Sequence, residues 1–144
     1  MEVTIGKSAE FIERAQAIRY QVFTVEQNIP NELDDDGLDS VAVHALVIEA
    51  NQCVATARLV VKTNGSSVMA RVAVLKAYRG RGIASIVVNK LIEYAKAQGV
   101  SSIEIHAHSY LRSYYEKLGF DFIQEVEMVG EHQLIEMRNQ LVRT

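Results

Sequence analysis

The 144-residue sequence has one cysteine, one proline and no tryptophan. With Cys53 alone no internal disulfide can form, which excludes the disulfide-stapled class and points to a reducing compartment. The single proline and the missing tryptophan exclude nothing by themselves. No stretch approaches the roughly 18 consecutive apolar residues of a membrane span. The N-terminal Met1-Glu2-Val3-Thr4-Ile5 has no basic segment leading into an apolar run, so no secretory leader is visible. The expectation is a cytoplasmic protein with no membrane partner. Positive charge is not in excess either. Lys and Arg total 15 against 18 Asp and Glu, a net charge of −3, which argues against a nucleic-acid partner.

What is present fits one globular domain, expected to span residues 1–144. Hydrophobic residues make up 49% and charged residues 23%, so disorder is excluded, and the length suffices to bury roughly two-thirds of the unfolded surface. Residues 1–6 alternate weakly as a short strand. Ser8 offers an N-cap, and apolar residues from Phe11 to Phe23 recur at helical spacing, predicting a helix over 9–23. Glu32 to Ser40 is an acidic loop. The period then becomes two over 41–49 and 53–62, a hairpin around Asn51-Gln52, and Asn64-Gly65 turns the chain into a further strand over 67–74. A helix from Ile83 stops at Gly99. Residues 101–107 alternate Ser102, Glu104 and His106 against Ile103, Ile105 and Ala107. A short helix over 109–118 stops at Gly119, and strands over 120–129 and 132–141 close the chain. The order β-α-β-β-β-α-β-α-β-β predicts an α+β, or mixed α/β, sheet.

The turn Arg79-Gly80-Arg81-Gly82-Ile83-Ala84 leaves a strand and opens a helix. Glycines admit a ligand close to the backbone, and the free N–H groups and dipole of a helix start attract an anion. Arg79 and Arg81 add positive charge, so the arrangement reads as a diphosphate cradle. The plainer alternative is a tight connection carrying two solvated arginines. A P-loop would require Gly-Lys-Ser/Thr, which is absent. A dinucleotide fingerprint would require a third glycine where Ser85 stands, although Glu104 lies at the distance of a ribose-binding acid.

Val72-Ala73-Val74 followed by Arg79, Gly82 and Ala84 resembles motif A of the GNAT N-acetyltransferase superfamily, whose core is Arg/Gln-x-x-Gly-x-Gly/Ala. Tyr114-Tyr115-Glu116-Lys117-Leu118-Gly119-Phe120 is similar to that family's Tyr-Glu-Lys-Leu-Gly-Phe signature, at the family's usual separation. Arg19, Val22 to Gln27, Ile29-Pro30, Glu32, His44, Thr56 to Leu59 and Arg71 resemble the ElaA-like branch, and the resemblance covers most of the chain. That branch carries Ile-Pro-His before its last strand, where His132-Gln133-Leu134 stands here.

The resemblance implies a mixed, mostly antiparallel sheet of about seven strands flanked by helices, with strands four and five parallel and splayed. It implies an enzyme that transfers an acetyl group from acetyl-CoA to a primary amine of a small molecule or peptide, directly in a ternary complex. The pantetheine maps to Val72, Ala73 and Val74, and the diphosphate to Arg79, Gly80, Arg81, Gly82, Ile83 and Ala84. His108 stands where the family often has a cofactor-contacting asparagine. Tyr115 maps to the tyrosine that protonates the departing thiolate, leaving Tyr114 to face the core. Glu104 is one residue off a glutamate base used by some members, and a one-residue slip in a strand points to the other face.

Glu26 and His44 remain as catalytic candidates, each with a structural alternative: a solvated helix end and a satisfied core histidine. No metal is expected, because Glu32-x-Asp34-x-Asp36-Gly37 has Val43 where a calcium loop needs glutamate, and His106-x-His108 lacks a clear third ligand. The acidic run is a solvated loop or an attractor for a cationic amine, and Arg58 and Arg71 are candidate partners for its carboxylates. A homodimer is common in the family. A non-catalytic acyl-CoA-binding module and a dinucleotide-binding protein are the alternative readings.

Overall fold

A computed structural model describes residues 1–142. In chain order it contains β1 (Glu2–Gly6), α1 (Ala9–Arg19), a π-helical stretch (Tyr20–Glu26), α2 (Asn31–Asp34), β2 (Val43–Glu49), β3 (Gln52–Val61), β4 (Ser66–Val74), α3 (Ile83–Ala97), β5 (Ser102–His108), α4 (Arg112–Lys117), β6 (Asp121–Val129) and β7 (His132–Gln140). The strands form one seven-stranded sheet in the order β1-β2-β3-β4-β5-β7-β6, flanked by helices. It is mostly antiparallel, with β4 and β5 parallel through Ser66–Val68 and Ser102–Glu104. Among the described residues no helix is long and apolar enough to cross a membrane.

The local signals explain most elements. Ser8 Oγ accepts from the Phe11 amide at 3.3 Å and starts α1. The expected helix over 9–23 ends as an α-helix at Arg19 and continues in π form to Glu26. The hairpin between β2 and β3 turns at Ala50 and Asn51, both at positive φ as a type I′ turn requires, one residue earlier than the sequence pattern places it. Gly99 ends α3 at φ 75°, a left-handed position glycine takes without a Cβ penalty. The β5 alternation holds, with Ile103, Ile105 and Ala107 buried.

The described residues group into two compact units, Met1–Val60 with Arg71–Glu93, and Val61–Ala70 with residues 94–142. In the first, Ala15, Ile18 and Val22 pack with Leu46 and Ala73 in a fully buried cluster. In the second, β5 and β7 register Ile105 opposite Met137 and Ala107 opposite Ile135, all buried.

Candidate functional site

The glycine-rich turn lies in the first unit. Gly80 and Gly82 have φ of 81° and 74°, and a Cβ on either would meet nothing within 4 Å. Backbone conformation, not crowding, therefore calls for glycine, and the turn is open to an approaching ligand. Ile83 begins α3, whose first amides have no partner within the helix. Arg79 donates from Nε to the Val74 carbonyl at 3.1 Å. Its guanidinium fork lies on the Glu26 carboxylate, Nη2 to Oε1 at 2.6 Å and Nη1 to Oε2. Arg81 sits 5.2 Å over the Tyr78 ring and 3.7 Å from Glu49. Of the strand residues before the turn, Ala73 joins the buried cluster, while Val72 and Val74 are half-buried.

Acidic-loop carboxylates are mostly spoken for. Arg19, only 1% exposed, donates from Nε and Nη2 to Asp34 at 2.9 and 2.7 Å, and from Nη1 and Nη2 to Asp39 at 2.9 Å each. Arg58 reaches Asp39 at 3.0 Å and forks onto Asp36. Arg71, held at φ 60° within β4, reaches Asp34 at 3.0 Å and Asp36 at 3.3 Å. Three of the five carboxylates between Glu32 and Asp39 are therefore neutralised, which leaves Glu32 and Asp35 for any attraction of a cation. Burial pushes the Asp39 carboxyl up, but hydrogen bonds from Arg19, Gln16 and Arg58 outweigh it and hold the group well below the usual carboxylate range. The expected pairing of Arg58 and Arg71 with this loop is present. Arg19, the centre of the network, enters the sequence reading only through the ElaA-like resemblance, with no partner named for it. Its available signal was a charge one position after the buried Ile18 on an otherwise apolar helix face.

These contacts weigh against proton transfer by the two catalytic candidates of this unit. His44 has no exposed surface, and its Nε2 lies 3.0 Å from the Asp39 carbonyl. Through that contact it braces the acidic loop. Glu26 has both oxygens on Arg79, whose hydrogen bonds hold its carboxyl below the ordinary range, so it is a poor base in this geometry.

In the second unit Tyr115, not Tyr114 as expected, is the tyrosine that faces the core. Tyr115 is the buried member of the pair, 7% exposed, with its ring edge-on to Phe120 at 5.7 Å and to Tyr114 at 5.1 Å. Tyr114 is half-buried, because the short α4 turns position 115 inward. Desolvation, helped by Tyr114, pushes the Tyr115 phenol up to about 12, so it stays protonated at neutral pH. His108 ends β5, stacks on Tyr110 at 5.3 Å and meets the edge of His132 at 5.0 Å. His106 turns to carboxylates instead. Its Nε2 is 3.2 Å from Glu104, and Glu104, His106 and Glu136 bring one ligand atom each within 4.8 Å of one another. Gln124 and Arg138 already donate to Glu136, at 3.0 and 3.3 Å.

Residues 10–120 match the acetyltransferase (GNAT) family model. The chain belongs to the acetyltransferase (GNAT) family. The uncharacterized N-acetyltransferase YjcF of Bacillus subtilis is 30% identical over 129 residues, covering 90% of this chain and 91% of that protein. An acyl-CoA N-acyltransferase from Pseudomonas aeruginosa superposes with a TM-score of 0.86 at 26% identity, covering 96% of this chain and 98% of its own. Escherichia coli ElaA superposes with a TM-score of 0.85 at 26% identity, covering 96% and 99%. This acetyltransferase thus resembles ElaA in fold as well as in sequence pattern, and acyl-CoA-dependent N-acetyl transfer is its general activity. The open glycines and the two arginines of its turn fit the diphosphate of such a donor.

Proposed function

We propose that this acetyltransferase moves an acetyl group from acetyl-CoA to a primary amine of a small molecule or peptide, directly, in a ternary complex. The observation that carries the reading is the open turn at the head of α3, with its two glycines at positive φ and its two arginines, in a GNAT chain. The two units work as one acetyltransferase domain, in keeping with a family match that runs through both.

Acetyl-CoA supplies the thioester. The backbone from Arg79 to Ala84 receives its diphosphate, and the backbone groups of Val72, Ala73 and Val74 hold its pantetheine, with His108 as a further contact. The amine nitrogen bonds to the thioester carbonyl carbon, the carbon–sulfur bond breaks, and the Tyr115 hydroxyl gives its proton to the departing sulfur. A phenol held at about 12 remains a donor throughout the neutral range. The proton lost by the amine passes through water, and water returns a proton to the Tyr115 phenolate, since His44 is enclosed and Glu26 is engaged. Cys53 stands outside both motifs and carries no acyl group.

Acetyl-CoA should raise the melting temperature, and Gly82→Glu should abolish that rise by filling the turn and adding negative charge. No shift with the unaltered protein at saturating acetyl-CoA would sink the donor assignment. A panel of polyamines, amino sugars, peptide N-termini and lysine, read by release of free CoA, then finds the acceptor. Binding without release on any amine would reassign the protein as an acyl-CoA sensor.

A further inference from the structure

We propose that Glu26 is an internal anion that Arg79 exchanges for the diphosphate of the acyl-CoA donor, so that this pair sets how tightly the donor is held. The inference rests on the donor reading above and concerns a residue that the reading leaves without a chemical role.

The geometry carries it. Glu26 offers its two oxygens to the two terminal nitrogens of Arg79, the same planar fork that takes a phosphate in two parallel hydrogen bonds. The third nitrogen, Nε, donates to the Val74 carbonyl at 3.1 Å. With Glu26 seated, the guanidinium on the cradle turn is therefore neutralised, and one of the backbone groups assigned to pantetheine is occupied. Withdrawal of Arg79 from Glu26 toward a diphosphate frees both at once. Glu26 is the last residue of the π-helical stretch Tyr20–Glu26, a form of helix that recurs at functional sites because its extra residue re-aims side chains.

Exposure separates this pair from the other arginine forks of the same unit. The Arg19 and Arg58 side chains are 1% and 3% exposed and meet on Asp39, itself 9% exposed, within the fold. The Arg79 and Glu26 side chains are 40% and 29% exposed, so the pair opens to solvent without stranding a buried charge. The Arg79 hydrogen bonds also keep Glu26 ionised across the neutral range, and Lys76 adds to this, so Glu26 competes as a full anion.

The test is a double-mutant cycle read as the dissociation constant of CoA by titration calorimetry, with no turnover required. Glu26→Gln removes the competitor while keeping its shape, and should tighten CoA about threefold. Arg79→Gln should weaken CoA by about tenfold. The combination is decisive, because in the Arg79→Gln background Glu26→Gln should have no further effect. Weaker CoA binding by Glu26→Gln would overturn the exchange, since Glu26 would then be orienting Arg79 for the donor. Equal tightening in both backgrounds would also overturn it and leave only through-space repulsion. Unchanged affinity in Glu26→Gln sinks the exchange alone. Absence of CoA binding by the unaltered protein sinks the donor reading together with it.

Discussion

Tyr115 combines a packing role and a chemical one in the same side chain. Its ring fills space against Phe120, and that same enclosure raises its phenol to about 12. Tyr115→Phe keeps the ring and removes the proton. Turnover should fall by roughly a hundredfold while the dissociation constant of CoA stays within about twofold, measured by steady-state kinetics and calorimetry. Unchanged turnover would remove the acid role. The shift also sets an alkaline limit. The folded phenol ionises later than the unfolded one, whose ordinary value is 10.0. Its contribution to stability is therefore complete below pH 10 and is lost as pH rises toward 12. The sequence motif brings out Tyr115 but not which tyrosine is buried, because a six-residue helix has too few turns for a periodicity to declare its inner face.

Among the elements, the acidic loop and the first hairpin make opposite points. The loop reads in sequence as solvated charge, yet Asp34 and Asp39 are buried beneath Arg19 and Arg58. Asp39→Asn leaves two buried guanidinium groups short of their anion, and should cost about 3 kcal/mol in urea unfolding. A loss below about 1 kcal/mol would mean the network is solvated in practice. In the hairpin the chain pays a local penalty, since Ala50 sits at φ 51° where a Cβ crowds the following carbonyl. Ala50→Gly should raise stability by about 0.5 kcal/mol, visible as a higher melting temperature. The alternation of β2 and β3 is plain in the sequence. The turn position is shifted by one residue because Ala50 adopts a conformation that its type disfavours.

At the scale of the whole molecule, acid should be the weak side. The Asp39 carboxyl and, through Arg58, that of Asp36 lie below their ordinary value of 3.8, so the unfolded chain binds protons more readily than the folded one. The stability they contribute is complete above about pH 4 and falls away as pH drops through their folded values. Unfolding free energy followed from pH 6 downward should decline below pH 4, and Asp39→Asn should flatten part of that decline. By itself the sequence determined the seven strands, the stop of α3 at Gly99, the glycine-rich turn and the family. Those features depend on neighbours a few residues apart: alternation, helical spacing and glycine at positive φ. Only the tertiary structure decided which charges meet. Arg19 finds Asp34 and Asp39 across 15 and 20 residues, and Arg79 finds Glu26 across 53. Those distances in the chain leave no local pattern, and burial then separates the ion pairs held within the fold from exposed ones such as Arg79–Glu26.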